Sequence, residues 1–200
     1  MKTIKLLFKP MLIAILLITH TSCSSDDNPI DENPNPPTDS HFYELSFTGG
    51  ATDGETLTGN LPIGYGNSGV VAIRSVSTNG QGETEDTIIL TLTDEIQTPN
   101  LNLAMGLTMN NNQALGFGPN VNETSSGMTI TYGDYVMNSL SGSSTITDYG
   151  EQTVYTGVTY AHFKITFTAD MQVGYTNQTD TFTTQVTGTI IVRRPIFNSL

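Results

Sequence analysis

One cysteine, no tryptophan, three histidines and only 7 lysines and arginines stand out in a chain of 200 residues. A single thiol cannot close a disulfide within the chain, so a packed core must carry the stability. The histidines, His20, His41 and His162, are far apart and lack the spacing of a zinc site. No nucleophile elbow is present, and no Asp-x-Asp-x-Asp-Gly calcium loop. Gly64, Gly66 and Gly69 lack the lysine and the spacing of a phosphate-binding loop and read as turn glycines. The sequence therefore assigns no catalytic, cofactor-binding or metal-binding residue and predicts a protein that is not an enzyme. Beyond the first 20 residues or so, no stretch keeps an apolar i, i+3, i+4, i+7 pattern, which speaks against helices.

What the chain does have begins at its N-terminus. Lys2, Lys5 and Lys9 precede an apolar run from Met11 to Ile18, and small residues lead to Cys23. The run suits the core of a signal peptide and is too short to cross a bilayer as a helix. Lys2 to Cys23 resembles the signal of a bacterial lipoprotein, with the Thr-Ser-Cys ending familiar in Bacteroidota-type bacteria. In that family Leu usually stands three residues before the cysteine; His20 stands there in this chain. The resemblance implies cleavage after residue 22, lipidation of Cys23 and an anchor in the membrane. Several acyl chains hold firmly because each buried methylene adds about 0.8 kcal/mol. An ordinary secretory leader cut near Ser22 is the alternative. The acidic segment Ser24-Ser25-Asp26-Asp27 resembles the signal that sends such lipoproteins to the cell surface of the outer membrane; the periplasmic face is the other possibility.

The leader would take three lysines with it. Arg74, Lys164, Arg193 and Arg194 then face 19 acidic residues, a formal charge of −15. Such a surface repels phosphate backbones, which excludes nucleic acid as a partner. It also repels anionic headgroups, so the lipid on Cys23 must do the anchoring. Residues 23–40 are acidic and proline-rich without any apolar period. They read as a disordered linker, reaching on the order of 50 Å when extended at about 3.1 Å per residue.

Residues 41–200 read as a single all-β domain. Period-two alternation recurs through Tyr43-Leu45-Phe47, residues 70–77, Ile88-Leu90-Leu92, and Leu101 through Met109. Residues 119–127 form the weakest stretch for any element. A strand over 139–149 is predicted to turn Leu140 and Ile146 to one face. The strongest signal is a hairpin, with Phe163, Ile165, Phe167, Ala169 and Met171 facing the same way as Val186, Gly188 and Ile190. The expected register places Met171 opposite Phe182, Phe167 opposite Val186 and Phe163 opposite Ile190. Eight to ten short strands predict an antiparallel β-sandwich, with a β-barrel as the alternative. The C-terminal half is loosely similar to small uncharacterised Bacteroidota-type lipoproteins, in residues 157–169 and 186–192, and the likeness carries no site residues.

Tyrosine is dense late in the chain, at Tyr132, Tyr135, Tyr149, Tyr155 and Tyr160. Such rings beside acids could stack on a sugar, although half-buried strand tyrosines look the same in sequence. The expected function is a lipid-anchored, non-enzymatic domain for binding, adhesion or envelope assembly, with an unknown protein or glycan ligand. A β-barrel carrier of a lipid or small molecule and a glycan-active enzyme are the alternatives.

Overall fold

The computed structural model describes residues 40–63, 68–78, 82–122, 124–151, 155–176 and 178–193. The expected leader, Cys23, most of the expected linker and the glycines Gly64 and Gly66 lie outside them. The described residues belong to one compact unit, Pro36–Leu200. They form β1 (Ser40–Thr48), β2 (Thr56–Pro62), β3 (Gly69–Thr78), β4 (Thr84–Asp94), β5 (Leu101–Asn110), β6 (Gln113–Ala114), β7 (Gly127–Tyr132), β8 (Tyr135–Glu151), β9 (Thr159–Tyr175) and β10 (Gln178–Val192). A three-residue 3-10 turn, Gly50–Thr52, is the one helical piece among them.

Every pairing between these strands is antiparallel, so the all-β antiparallel class expected from the alternation is the class observed. The path runs β2-β1-β10-β9-β3-β4-β5-β7-β8, and β8 also pairs with β9. Six strands, β3-β4-β5-β7-β8-β9, therefore pair in a closed circuit. Its shortest join is between β3 and β9, only Ile73 with Tyr160 and Arg74 with Thr159. Whether the fold is named a sandwich or a barrel turns on those two pairs.

The inward positions make one apolar core. Leu101, Leu103, Met105, Leu107 and Met109 of β5 are all buried, alternating with more exposed neighbours. Each such side chain contributes roughly 1.5–3 kcal/mol on leaving water. Residues 119–127 adjoin strand β7, whose range begins at Gly127. They belong to a segment fastened to the core through Phe117, which is buried and meets Phe167 edge-on at 6.0 Å. Backbone bonds from Phe117 N to Gly142 O and from Gly118 N to Ser126 O hold it. The buried Ser139 hydroxyl donates to Gly118 O at 2.7 Å and accepts from Met128 N at 2.9 Å.

Two β-bulges correct the sequence reading. The expected register of the hairpin holds at its turn, where Tyr175 pairs with Gln178. A bulge between Gln178 and Thr181 then shifts β10 by two residues, so Met171 lies opposite Thr184, Phe167 opposite Gly188 and Phe163 opposite Val192. A shift of two preserves the inward face. It also places a glycine against the Phe167 ring: a Cβ on Gly188 would lie 2.5 Å from Phe167 Cζ. The second bulge, in β8 between Ser139 and Ser141, switches the inward positions from odd to even numbers. Ile146 is buried as expected, but Leu140 is 41% exposed instead of sharing its face.

Candidate functional site

Four turns come together around a cleft of about 560 Å³. Glu55 enters from the β1–β2 turn and Pro99 from the β4–β5 loop. Tyr132, Gly133, Asp134 and Tyr135 are the β7–β8 turn, and Tyr175 ends β9. Each piece has a local cause. The β1–β2 turn needs positive φ at Gly49 and Gly50, and the Phe182 ring lies so close over Gly50 that a Cβ there would sit 2.1 Å from it. Asp53 Oδ1 accepts from Gly49 N at 2.7 Å. Thr52 donates to the Thr184 hydroxyl, which in turn donates to Thr48 O at 3.1 Å. Phe47 N donates to Glu55 O at 2.9 Å, which fixes the backbone that carries the Glu55 carboxylate. Across the cleft, Tyr132 pairs with Tyr135 around a two-residue turn with Gly133 at φ 57. Thr176 N donates to Asp134 O at 2.9 Å and ties that turn to the end of β9.

The walls are aromatic. Tyr135 and Tyr175 have ring centres 5.2 Å apart, and Phe182 packs on both, at 6.1 and 5.9 Å. Tyr132 stacks on Phe47 at 6.4 Å. Burial raises the Tyr132 phenol above its ordinary pKa, and the Glu55 charge adds to the effect. Burial likewise raises that of Tyr135, followed by Tyr175 and then the charges of Glu55 and Asp134. Both phenols are therefore neutral at ordinary pH. Glu55 Oε2 is buried and has no hydrogen-bond partner among the described residues.

The other tyrosines and acids have different work. Arg74 grips Asp86 with two bonds, Nε to Oδ1 at 2.7 Å and Nη2 to Oδ2 at 2.5 Å. Its Nη1 donates to the Tyr149 hydroxyl at 3.0 Å and pairs with Glu151. The Asp86 bond heads the causes that raise the Arg74 pKa. This cluster ties β3, β4 and β8 together beside the short β3–β9 join, so we read it as a latch on the circuit. Asp94 is buried and accepts from Tyr43 at 2.7 Å, Ile96 N at 2.9 Å and Gln97 N at 3.1 Å. It shapes the loop leading to Pro99. Tyr155 is 44% exposed, in a turn closed by bonds between Tyr155 and Val158. A second cleft, about 730 Å³, lies along Glu85, Asp86, Thr108, Asn110 and Asn122, and its Asp86 is already held by Arg74.

His162 is half-buried on β9, with its ring against Gly150. His41 is buried: Arg193 N donates to its Nδ1 at 3.0 Å where β1 and β10 bring the two ends of the domain together. Burial and then the Arg193 charge lower the His41 pKa to about 4. Its unfolded value is near 6.5, so the unfolded chain binds the proton more readily. The stabilisation is therefore complete above about pH 6.5 and is lost as pH falls towards 4. Urea denaturation over this window should show up to about 3 kcal/mol more loss in wild type than in His41→Asn, which keeps an acceptor but does not titrate. Parallel pH profiles for the two proteins would contradict the assignment.

Of the tyrosines prominent in the sequence, Tyr132 and Tyr135 reach the cleft while Tyr149, Tyr155 and Tyr160 do not line it. Tyr175, Glu55 and Pro99, which also line it, were not picked out as parts of a site. The available signal was a tyrosine flanking two separate hairpin turns, at 132–135 and at 175. Among the described residues no three His, Cys, Asp or Glu side chains converge as a metal site would require, and no helix is long and apolar enough to cross a membrane. No protein-family model, curated protein or solved structure matches the chain.

Proposed function

We propose that this chain is a lipid-anchored protein of the outer envelope whose β domain binds a ligand without transforming it. Cys23 would carry the lipid, residues 24–39 would hold the domain away from the membrane, and the cleft among the four turns would face outward. The observation that carries the binding reading is the cleft itself: rigid strands present aromatic rings from separate turns, the usual arrangement of a loop-built recognition site. Three acids outside the cleft are taken up within the fold. Asp86 and Glu151 are taken up by Arg74, and Asp94 by Tyr43 and two backbone amides. The inward side chains of β4, β5, β9 and β10 form a single apolar core, which favours a surface site over an internal carrier cavity.

Protease added to intact cells tests the presentation. Wild type should be digested and found with membranes, and Cys23→Ser should move to the soluble fraction. Wild type that stays in the membrane but resists protease would place the domain on the periplasmic side. Wild type in the soluble fraction would overturn the anchor.

A further inference from the structure

Resting on that reading of the domain as a binding module, we propose that the cleft at Tyr132, Tyr135 and Tyr175 takes an organic cation, an alkylammonium group held by aromatic faces and the Glu55 and Asp134 carboxylates. Three observations combine. The rings of Tyr135, Tyr175 and Phe182 are tilted or edge-on to one another, with centres 5.2–6.1 Å apart. Of these, Tyr135 and Tyr175 line the cleft, and two tilted faces make a corner that suits a compact cation better than the flat platform that a sugar ring prefers. Next, Glu55 is half-buried, and its Oε2 is shielded from solvent without a hydrogen-bond partner among the described residues, a position that a positive group in the cleft would compensate. Finally, the cleft has no cation of its own among the described residues. Its lining has no basic residue among the described ones. Arg74 is committed to Asp86 and Glu151, and Arg193 lies beside His41 and Ser40. Lys164 is paired across β9 with Thr147 and Ile191, away from these turns.

The same field excludes the opposite charge. Glu55 and Asp134 would repel phosphate or carboxylate ligands, and neutral ligands would leave Glu55 uncompensated. Two sources could supply the ammonium, a free amine or the lysine side chain of a peptide. The chemistry at the cleft is shared: a positive nitrogen against ring faces, with its alkyl substituents on the apolar wall.

Titration of the full chain tests this. The protein has eight tyrosines and no tryptophan, so its ultraviolet emission reports on tyrosine. Tetramethylammonium and N-acetyl-lysine methylamide should each change that emission saturably, with half-saturation at millimolar concentration. Sodium chloride at equal ionic strength should not. Glu55→Gln should weaken binding about tenfold while melting within a few degrees of wild type, and Tyr175→Ala should weaken it further. Asp134→Asn, at an exposed position, serves as a second variant should Glu55→Gln fail to fold. Tighter binding of tetramethylammonium identifies free amines as the source, and tighter binding of the lysine compound identifies a peptide. The proposal is overturned if tert-butanol or glucose binds as well as the cations, if neither cation gives a response at 100 mM, or if both carboxylate variants bind like wild type. None of these results bears on the anchor, which fails separately if Cys23 carries no lipid.

Discussion

Phe163→Ala should lower the unfolding free energy by about 3–5 kcal/mol. For a domain of this size, that corresponds to a fall in Tm of roughly 6–20 °C. Phe163 is 2% exposed, on the inward face of β9. Its ring stacks on Tyr149 at 6.4 Å, and Arg74 sits 5.8 Å above the other ring. Truncation therefore opens a cavity and also removes the support on which Tyr149 presents its hydroxyl to Arg74. The latch beside the β3–β9 join should loosen with the core. Thr166 lies three residues along on the outward face, and Thr166→Ala should stay within about 0.5 kcal/mol of wild type. Chemical denaturation of both variants measures the contrast. Similar losses for the two would contradict the facing of β9.

Gly142→Ala should destabilise by on the order of 3 kcal/mol or more, although it adds a single methyl group. Gly142 follows the β8 bulge, pairs with Ala169 and accepts from Phe117 N at 3.0 Å. A Cβ there would lie 2.4 Å from Thr168 O and 2.8 Å from Ala169 Cα. Both are backbone atoms of the central hairpin and cannot move aside as a side chain can. The φ of 151° adds strain. Gly54 separates the two contributions, since it has φ 81° but nothing within 4 Å of its Cβ position. Gly54→Ala should cost only the backbone strain, about 1–3 kcal/mol. A Gly142→Ala protein as stable as Gly54→Ala would show that the bulge can relax.

The facing of each strand could be read from the sequence because one buried face imposes a period of two. Tyr43, Leu45, Phe47 and the five inward residues of β5 are all where alternation places them. The bulges could not. At Leu140 nothing in the local pattern tells which residue is extruded, since Ser139 and Gly142 are both compatible with an inward position. The choice depends on Gly118 O and Met128 N, partners of Ser139 that are distant in sequence. The hairpin register was readable at its turn but not past Thr179 and Asp180, because the fit of Phe167 over Gly188 is a cross-strand property. His41 follows the same rule: its burial depends on Arg193, 152 residues away. The cleft was half visible. Tyr132 and Tyr135 are neighbours of one turn, but Glu55, Pro99 and Tyr175 join them only once β1 pairs with β10 and β8 with β9.

The most direct measurement of the central proposal is metabolic labelling with palmitate in a lipoprotein-processing bacterium, comparing wild type with Cys23→Ser. The account predicts label on wild type, none on Cys23→Ser, and a mature chain that begins at residue 23. Unlabelled wild type, or label that survives Cys23→Ser, would contradict it.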